Sequence, residues 1–489
     1  MRSILKATVV LGFGSAISAL FGLLTAKAAA VYLGPVGVGV LSLVQGLLAV
    51  VQLIGGVGLS ASIVRFGAPA VANGDQLGIA AIRRAGWFIA LGSSAVIVVL
   101  LLLLRGPISR SMLGGSGRAS DVVIVAAVVT FSIIYVLQMA ILNAHHRVMA
   151  LATVAVTTSA LGATMQILLF RQFGIESVPY AVAATAVVQF LVSGVVVRVL
   201  LREPGRPVSW SGAAEAVRRL IGFGVPYMAS AFAGSGTQFL LPAIILAVFD
   251  VPSVGYFRAS YAFSATYLGL ILVSMAQDYF PRLSAQSDPV ALNATVNQQF
   301  RILLLLGGPL VLAAMAFAPT LIRLVYSARF LPAVTILRWQ LIGDIFKFQA
   351  WVLSFVVLAK AKSSFYLITE VAGGALLIGL ILAFVRLFGL PGIGIGYSAA
   401  YLSYSLVVFA FVRRTMPFRW ERQNLLLLAI VLSLCTAVRL LPDVHMGPLV
   451  FSIGIVPTLA YAVYCFSRIY HEGIRSHASV VAPETEASS

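Results

Sequence analysis

Fourteen stretches of this chain are apolar for about twenty residues each, and only short polar loops part them. A run of that length crosses the hydrocarbon core of a bilayer as one helix. Composition agrees: 60% of the residues are hydrophobic and 10% are charged, where a soluble globular chain would carry about a quarter charged residues. The fold class expected is therefore an all-α polytopic membrane protein.

The spans fall near 7–33, 36–62, 80–104, 121–143, 148–170 and 176–198, then 220–248, 253–276, 301–325, 331–359, 364–386 and 391–412, with a last pair near 424–441 and 447–467. Arg2 and Lys6 ahead of the first run, with Ala28-Ala29-Ala30 near its end, imitate a signal peptide. The run is too long for that and more spans follow at once, so it is read as the first helix. Residues 201–219 hold Arg202, Pro204, Arg206, Pro207, Arg218 and Arg219 and form the expected cytoplasmic linker between two six-helix lobes, 1–200 and 220–412. Residues 413–467 add two further spans, and the polar tail 468–489 is expected to be disordered and cytoplasmic.

A faint internal repeat supports two lobes. Leu11-Gly12-Phe13-Gly14 in the first helix matches Ile221-Gly222-Phe223-Gly224 in the seventh. Gly34-Pro35-Val36-Gly37-Val38-Gly39, entering the second, matches Val251-Pro252-Ser253-Val254-Gly255-Tyr256, entering the eighth. Such repeats, related by an axis along the membrane normal, occur in parallel-repeat transporters. Gly14, Ser18 and Gly22 make a small-residue ladder that lets a neighbouring helix come close.

The net charge of +18 would suggest nucleic acid in a soluble chain. Here the basic residues sort by loop, so orientation explains them and no nucleic-acid partner is expected. With both termini cytoplasmic, about 21 of the 33 Lys and Arg fall on the cytoplasmic side, about eight outside and four in the membrane. The longest outer loop, Arg105 to Asp121, is too short for a domain. Cys435 and Cys465 lie within apolar spans, and the five histidines lie at span edges or in the tail. No phosphate-binding glycine-rich signature, metal-ligand spacing or nucleophilic triad is present, so neither a cofactor nor a metal is expected.

Six charges lie well inside spans: Lys27, Arg258, Arg338, Asp344, Lys347 and Glu370. Each costs roughly 2.5–3.5 kcal/mol on insertion scales, so such residues turn away from lipid. Three sit in one helix, Arg338-Trp339-Gln340-Leu341-Ile342-Gly343-Asp344-Ile345-Phe346-Lys347. Asp344 and Lys347, three apart, share a face and are placed to pair; Gln340 and Trp351 extend that face. The face reads either as lining a wet cavity or as a buried ion pair that fixes packing. Lys27 and Arg258 lie only roughly 8–11 Å below the outer surface at 1.5 Å per residue. They read either as cations snorkelling outward or as an anion site facing a cleft. Arg65, at the cytoplasmic end of the second helix, serves orientation or gives a first contact for an anionic headgroup. Asp344 and Glu370 either bind protons or cations for coupling or balance the neighbouring cations.

Three short motifs and one long one carry a family resemblance. They are Tyr32-Leu33-Gly34-Pro35-Val36-Gly37, Phe223-Gly224-Val225-Pro226, Tyr279-Phe280-Pro281-Arg282-Leu283-Ser284, and the stretch from Trp339 to Lys347 continued by Ala359 to Glu370. On these the chain resembles the polysaccharide/O-antigen (lipid III-type) flippase branch of the multidrug/oligosaccharidyl-lipid/polysaccharide exporter (MOP, MATE-like) superfamily. The resemblance covers about 5–412. It implies two six-helix bundles about a cationic central cavity, working by alternating access in the bacterial inner membrane. The substrate implied is an undecaprenyl-pyrophosphate-linked oligosaccharide, of the lipid III (enterobacterial common antigen) or O-antigen type, carried from the cytoplasmic to the periplasmic leaflet. Lys27 and Arg258 match the family's cavity positions; with Arg338, Lys347, Arg65 and Gln340 they form the expected substrate-binding set, and Asp344 and Glu370 the coupling or charge-balancing pair. Membrane lipids and polysaccharide polymerase machinery are the further partners implied. Many polysaccharide flippases stop at twelve helices, while the lipid II branch has fourteen. The alternative activity is a cation-coupled drug exporter of the same superfamily, which the net positive interior disfavours; a membrane glycan enzyme lacks the expected outer loop or buried histidine.

Overall fold

The structure is a computed structural model that describes residues 2–114, 118–201, 209–264, 269–360, 363–440 and 455–468. Every regular element among them is helical. In order they are α1 (Arg2–Tyr32), α2 (Gly34–Gly55), α3 (Leu59–Ala72), α4 (Gln76–Leu103), α5 (Arg105–Met112), α6 (Ala119–Ala144), α7 (Val148–Phe173), α8 (Val178–Leu200), α9 (Trp210–Val248) and α10 (Val251–Phe263). They continue as α11 (Gly269–Ala285), α12 (Pro289–Ala316), α13 (Ala318–Val325), α14 (Ala333–Lys360), α15 (Ser363–Phe388), α16 (Pro391–Thr415) and α17 (Arg422–Arg439). A last helical segment covers 455–468.

Among the described residues, ten helices are long and apolar enough to cross a membrane, or eleven when the two halves of α9, bent by 49°, count as one span. One of the ten, Val148–Leu200, runs 53 residues, about 80 Å of helix. It is really α7 and α8, folded against each other at the short 3-10 turn Gly174–Ser177. The chain is thus a multi-pass membrane protein. The spans expected near 253–276 and 447–467, the linker 201–219 and the tail 468–489 lie partly or mostly outside the described residues. The second span stops at Gly55 rather than 62, because Val57 (φ 45°) and Gly58 (φ 66°) both take left-handed backbone and start α3 in a new direction.

Two compact units are present: Met1–Arg258 with Val325–Arg329, and Ala259–Leu324 with Phe330–Ser489. In the first, α1 packs on α7, α7 on α8, α6 on α4 and α8, and α9 on α2, α3 and α4. The small-residue ladder of α1 divides its work. A Cβ on Gly14 would lie 3.3 Å from the Ala152 Cβ on α7, whereas Gly22 has nothing within 4 Å. The two repeat-like glycine motifs meet each other: a Cβ on Gly39 would lie 2.2 Å from the Val251 carbonyl oxygen, and one on Gly255 would lie 2.1 Å from that of Pro35. Only glycine allows backbones this close.

In the second unit α14 lies in the middle, against α11, α12, α15, α16 and α17. Glycines again set the spacing, with a Cβ on Gly394 2.5 Å from the Ile336 carbonyl and one on Gly343 2.7 Å from the Tyr397 ring. The first helix of the extra C-terminal pair is built into this unit. The Asn297 amide nitrogen donates to the Arg419 carbonyl at 3.0 Å, and its oxygen accepts from Glu421 N–H at 2.9 Å and from the Asn424 amide at 3.0 Å. Arg301 pairs with Glu421, and Trp420 lies 4.7 Å from Phe300. From the segment 455–468, Tyr461 reaches the Leu304 carbonyl at 3.4 Å.

Candidate functional site

The first unit holds a polar cavity of about 280 Å³. Helical spacing builds it. Ser18, Gly22, Thr25 and Ala29 form one stripe of α1; Val38, Ser42 and Gln45 do the same on α2. Thr158, Ser159, Gly162 and Gln166 face it from α7, Thr185 and Gln189 from α8. Arg258 of α10 and Tyr326, just past α13, complete the lining. Threonine hydroxyls are tied back to their own helices, Thr25 to the Phe21 carbonyl at 2.9 Å and Thr158 to that of Val154 at 2.8 Å, which leaves their oxygens as acceptors. The Gln166 amide donates to Thr185 Oγ1 at 2.9 Å. Gln166 Oε1 and Ser18 Oγ are buried with no hydrogen-bond partner in the protein. Buried polar atoms are normally satisfied, so these two are suited to a guest or to water.

Arg258 is the one charged side chain among the lining residues, and no carboxylate joins it. Lys27 stands beside the cavity rather than in it: its Nζ donates to the Tyr326 carbonyl at 2.8 Å. The sequence points to Arg258 as a cavity cation, but not to the uncharged polar residues that wall this cavity. Its signal was there, as serines, threonines and glutamines repeating at helical spacing on α1, α2 and α7, but none of them is charged.

The second unit holds the charged residues that dominate the sequence. Asp344 is fully buried; its Oδ1 accepts from Ser264 Oγ at 2.7 Å and from Tyr397 OH at 2.8 Å, while Oδ2 has no hydrogen-bond partner. The ion pair expected between Asp344 and Lys347 does not form. Asp344 turns toward Ser264 and α16, and Lys347 lies over the Tyr401 ring, 5.5 Å from its centre. Gln340 is also fully buried, and neither atom of its amide has a hydrogen-bond partner. Glu370 Oε1 accepts from Tyr404 OH at 3.3 Å. Arg338, expected among the anion-holding cations, is 1% exposed and donates to the Met315 carbonyl at 3.3 Å, one residue from the end of α12. A cation there answers the negative end of the helix, and burial keeps it off any open surface. Trp351 stacks on Tyr279 at 5.9 Å. In the first unit, Arg65 is exposed on α3, with its guanidinium 4.4 Å from the Phe223 ring centre and 5.9 Å from that of Phe66, outside the cavity lining. So the structure sets Arg258 in a cavity with Lys27 at its wall, and gives Arg338, Gln340 and Arg65 other surroundings.

Residues 29–335 match the family described as polysaccharide biosynthesis protein, more than half of the chain. The chain belongs to that family. Among curated proteins it is 24% identical over 395 residues to the lipid III flippase of Escherichia coli (strain K12), covering 78% of this chain and 92% of that one, and equally to that of Shigella flexneri. Among solved structures it is similar to the lipid II flippase MurJ in an inward closed conformation (TM-score 0.72, 15% identity, 96% of this chain and 100% of that one). It is also similar to an inward-facing multidrug resistance MATE family transporter of the MOP superfamily (TM-score 0.67, 18% identity, 84% and 98%). The fold is therefore shared with these MurJ and MATE structures, as the sequence motifs implied.

Proposed function

We propose that this protein is a flippase that carries an undecaprenyl-pyrophosphate-linked oligosaccharide, of the lipid III or O-antigen type, from the cytoplasmic to the periplasmic leaflet of the bacterial inner membrane. Family membership and the lipid III flippase relatives support the substrate class. The observation that carries the reading is the cavity of the first unit: walls of hydroxyls and amides inside a membrane bundle, with Arg258 as the lone charge. Sugar hydroxyls match such walls, and a guanidinium matches phosphate oxygens with its fork of donors. The lipid tail stays in the bilayer, so the cavity needs to take only the polar head.

Two six-helix lobes, 1–200 and 220–412, alternate access around the head, with 413–467 as two added spans and both termini cytoplasmic. Arg258 takes the pyrophosphate. Lys27 joins it when it leaves the Tyr326 carbonyl, and Lys347 is the second unit's contact for the anionic head. Asp344, with one bare carboxylate oxygen, and Glu370 couple the cycle to an ion or proton. A drug exporter for organic cations fits less well, because a cation would meet Arg258 and no carboxylate in the cavity.

Charge reversal tests the assignment. Lys27→Glu and Arg258→Glu are expected to abolish surface glycan assembly with protein levels in the membrane unchanged. Normal glycan in both variants would defeat it.

A further inference from the structure

The cavity in the first unit holds more than its one charge explains. Three glutamine amides, Gln45, Gln166 and Gln189, face it from three helices. Gln166 is 8% exposed and its Oε1 has no hydrogen-bond partner, and Ser18 Oγ is likewise buried and unpartnered. Among the described residues, Gln45 and Gln189 make no side-chain hydrogen bond within the protein, so their amides are open to the cavity. An amide offers two donors and an acceptor; a sugar ring offers hydroxyls that both donate and accept. Burying such a group without partners costs free energy, and a matched guest recovers it.

The chemistry also excludes guests. Apart from Arg258 no lining residue is charged. A second anionic group pushed past Arg258 would be desolvated without a counter-charge. A cation would find no carboxylate. Phe21 of α1 and Tyr326 add aromatic surface for the apolar face of a sugar ring. At about 280 Å³ the space lies at the lower edge of small-ligand pockets, too small for a long glycan.

We propose that this cavity is a sugar-reading subsite: it seats one uncharged sugar unit of the glycan, the unit beside the pyrophosphate, through the amides of Gln45, Gln166 and Gln189 and the Ser18 hydroxyl. The proposal rests on the flippase reading, with Arg258 on the phosphate and the amides on the first sugar. The cavity thereby selects a neutral first sugar over an acidic one.

Two measurements on the full-length protein separate the subsite from the flippase reading. In the first, saturation-transfer NMR on detergent-purified protein probes free glucose and free N-acetylglucosamine. A neutral sugar is expected to receive saturation from the wild type, and Gln166→Met with Gln189→Met, near in size to the native side chains, is expected to remove it at unchanged melting temperature. No transfer in the wild type, or transfer unaffected by the double substitution, would overturn the subsite and leave a water-filled cavity. In the second, reconstituted vesicles receive undecaprenyl pyrophosphate bearing either glucose or glucuronic acid as its one sugar. The wild type is expected to flip the neutral compound about tenfold faster or more, and the double variant to lose that preference. Equal rates for both compounds would overturn the selection. If neither compound is flipped while the NMR result stands, the flippase reading fails and the sugar site survives.

Discussion

Replacing Arg258 by alanine removes the only charge among the residues that line the cavity of the first unit. A hydrogen bond to a charged group contributes about 1.5–3 kcal/mol, which corresponds to about 10–150-fold in affinity. The side chain is exposed, so water and salt screen it and the lower end applies, about tenfold. The half-saturating concentration of a labelled undecaprenyl-pyrophosphate glycan in reconstituted vesicles should rise by that factor at low salt, and by less at high salt. Arg258→Lys keeps the charge but not the planar fork, so it should fall between alanine and wild type. An unchanged half-saturation for Arg258→Ala at low salt would remove Arg258 from the anion site.

Other substitutions test other parts. Gly39→Val drives a side chain to within 2.2 Å of the Val251 carbonyl, a backbone atom that cannot rotate away; about 1–3 kcal/mol of overpacking should lower the melting temperature of the purified protein, while Gly92→Ala, with nothing within 4 Å, should not. Asn297→Ala removes the side-chain partner of the Arg419 carbonyl and the Glu421 N–H and one of the two acceptors of the Asn424 amide, which keeps the Asn297 backbone carbonyl, at about 0.5–1.5 kcal/mol per hydrogen bond lost; loosening of α17, read as faster proteolysis in the loop 416–421, is the expected result. Asp344→Asn removes the buried acid that Ser264 and Tyr397 hold; flipping should lose its dependence on a proton or sodium gradient, and a dependence equal to wild type would take Asp344 out of the coupling step.

Hydropathy made the membrane helices legible, because a span of about twenty apolar residues admits one backbone solution. Motif spacing was legible too: the glycines of Gly34 to Gly39 and of Val251 to Gly255 stood out as a repeat, and they turn out to touch each other. The partners of the charged residues were less legible. Arg338, Asp344 and Lys347 drew attention to α14, yet Arg338 caps a helix end and Asp344 takes hydroxyl donors in place of its neighbour. A charge three residues away shares a helical face but not a direction, and the tyrosines that α16 brings to Asp344 and Lys347 are distant in sequence. The cavity that best fits a guest is walled by serine, threonine and glutamine. In a membrane helix those residues serve packing as often as binding, so spacing alone could not single them out before α1, α2, α7 and α8 were seen together.

The central claim is movement of a lipid-linked glycan between leaflets. Purified protein reconstituted into vesicles with a fluorescent undecaprenyl-pyrophosphate oligosaccharide in the inner leaflet, probed with a membrane-impermeant quencher, measures that movement directly. Time-dependent exposure of the label, slowed by Arg258→Glu, is the expected result. Exposure no faster than in protein-free vesicles, under every ion gradient applied, would contradict the account.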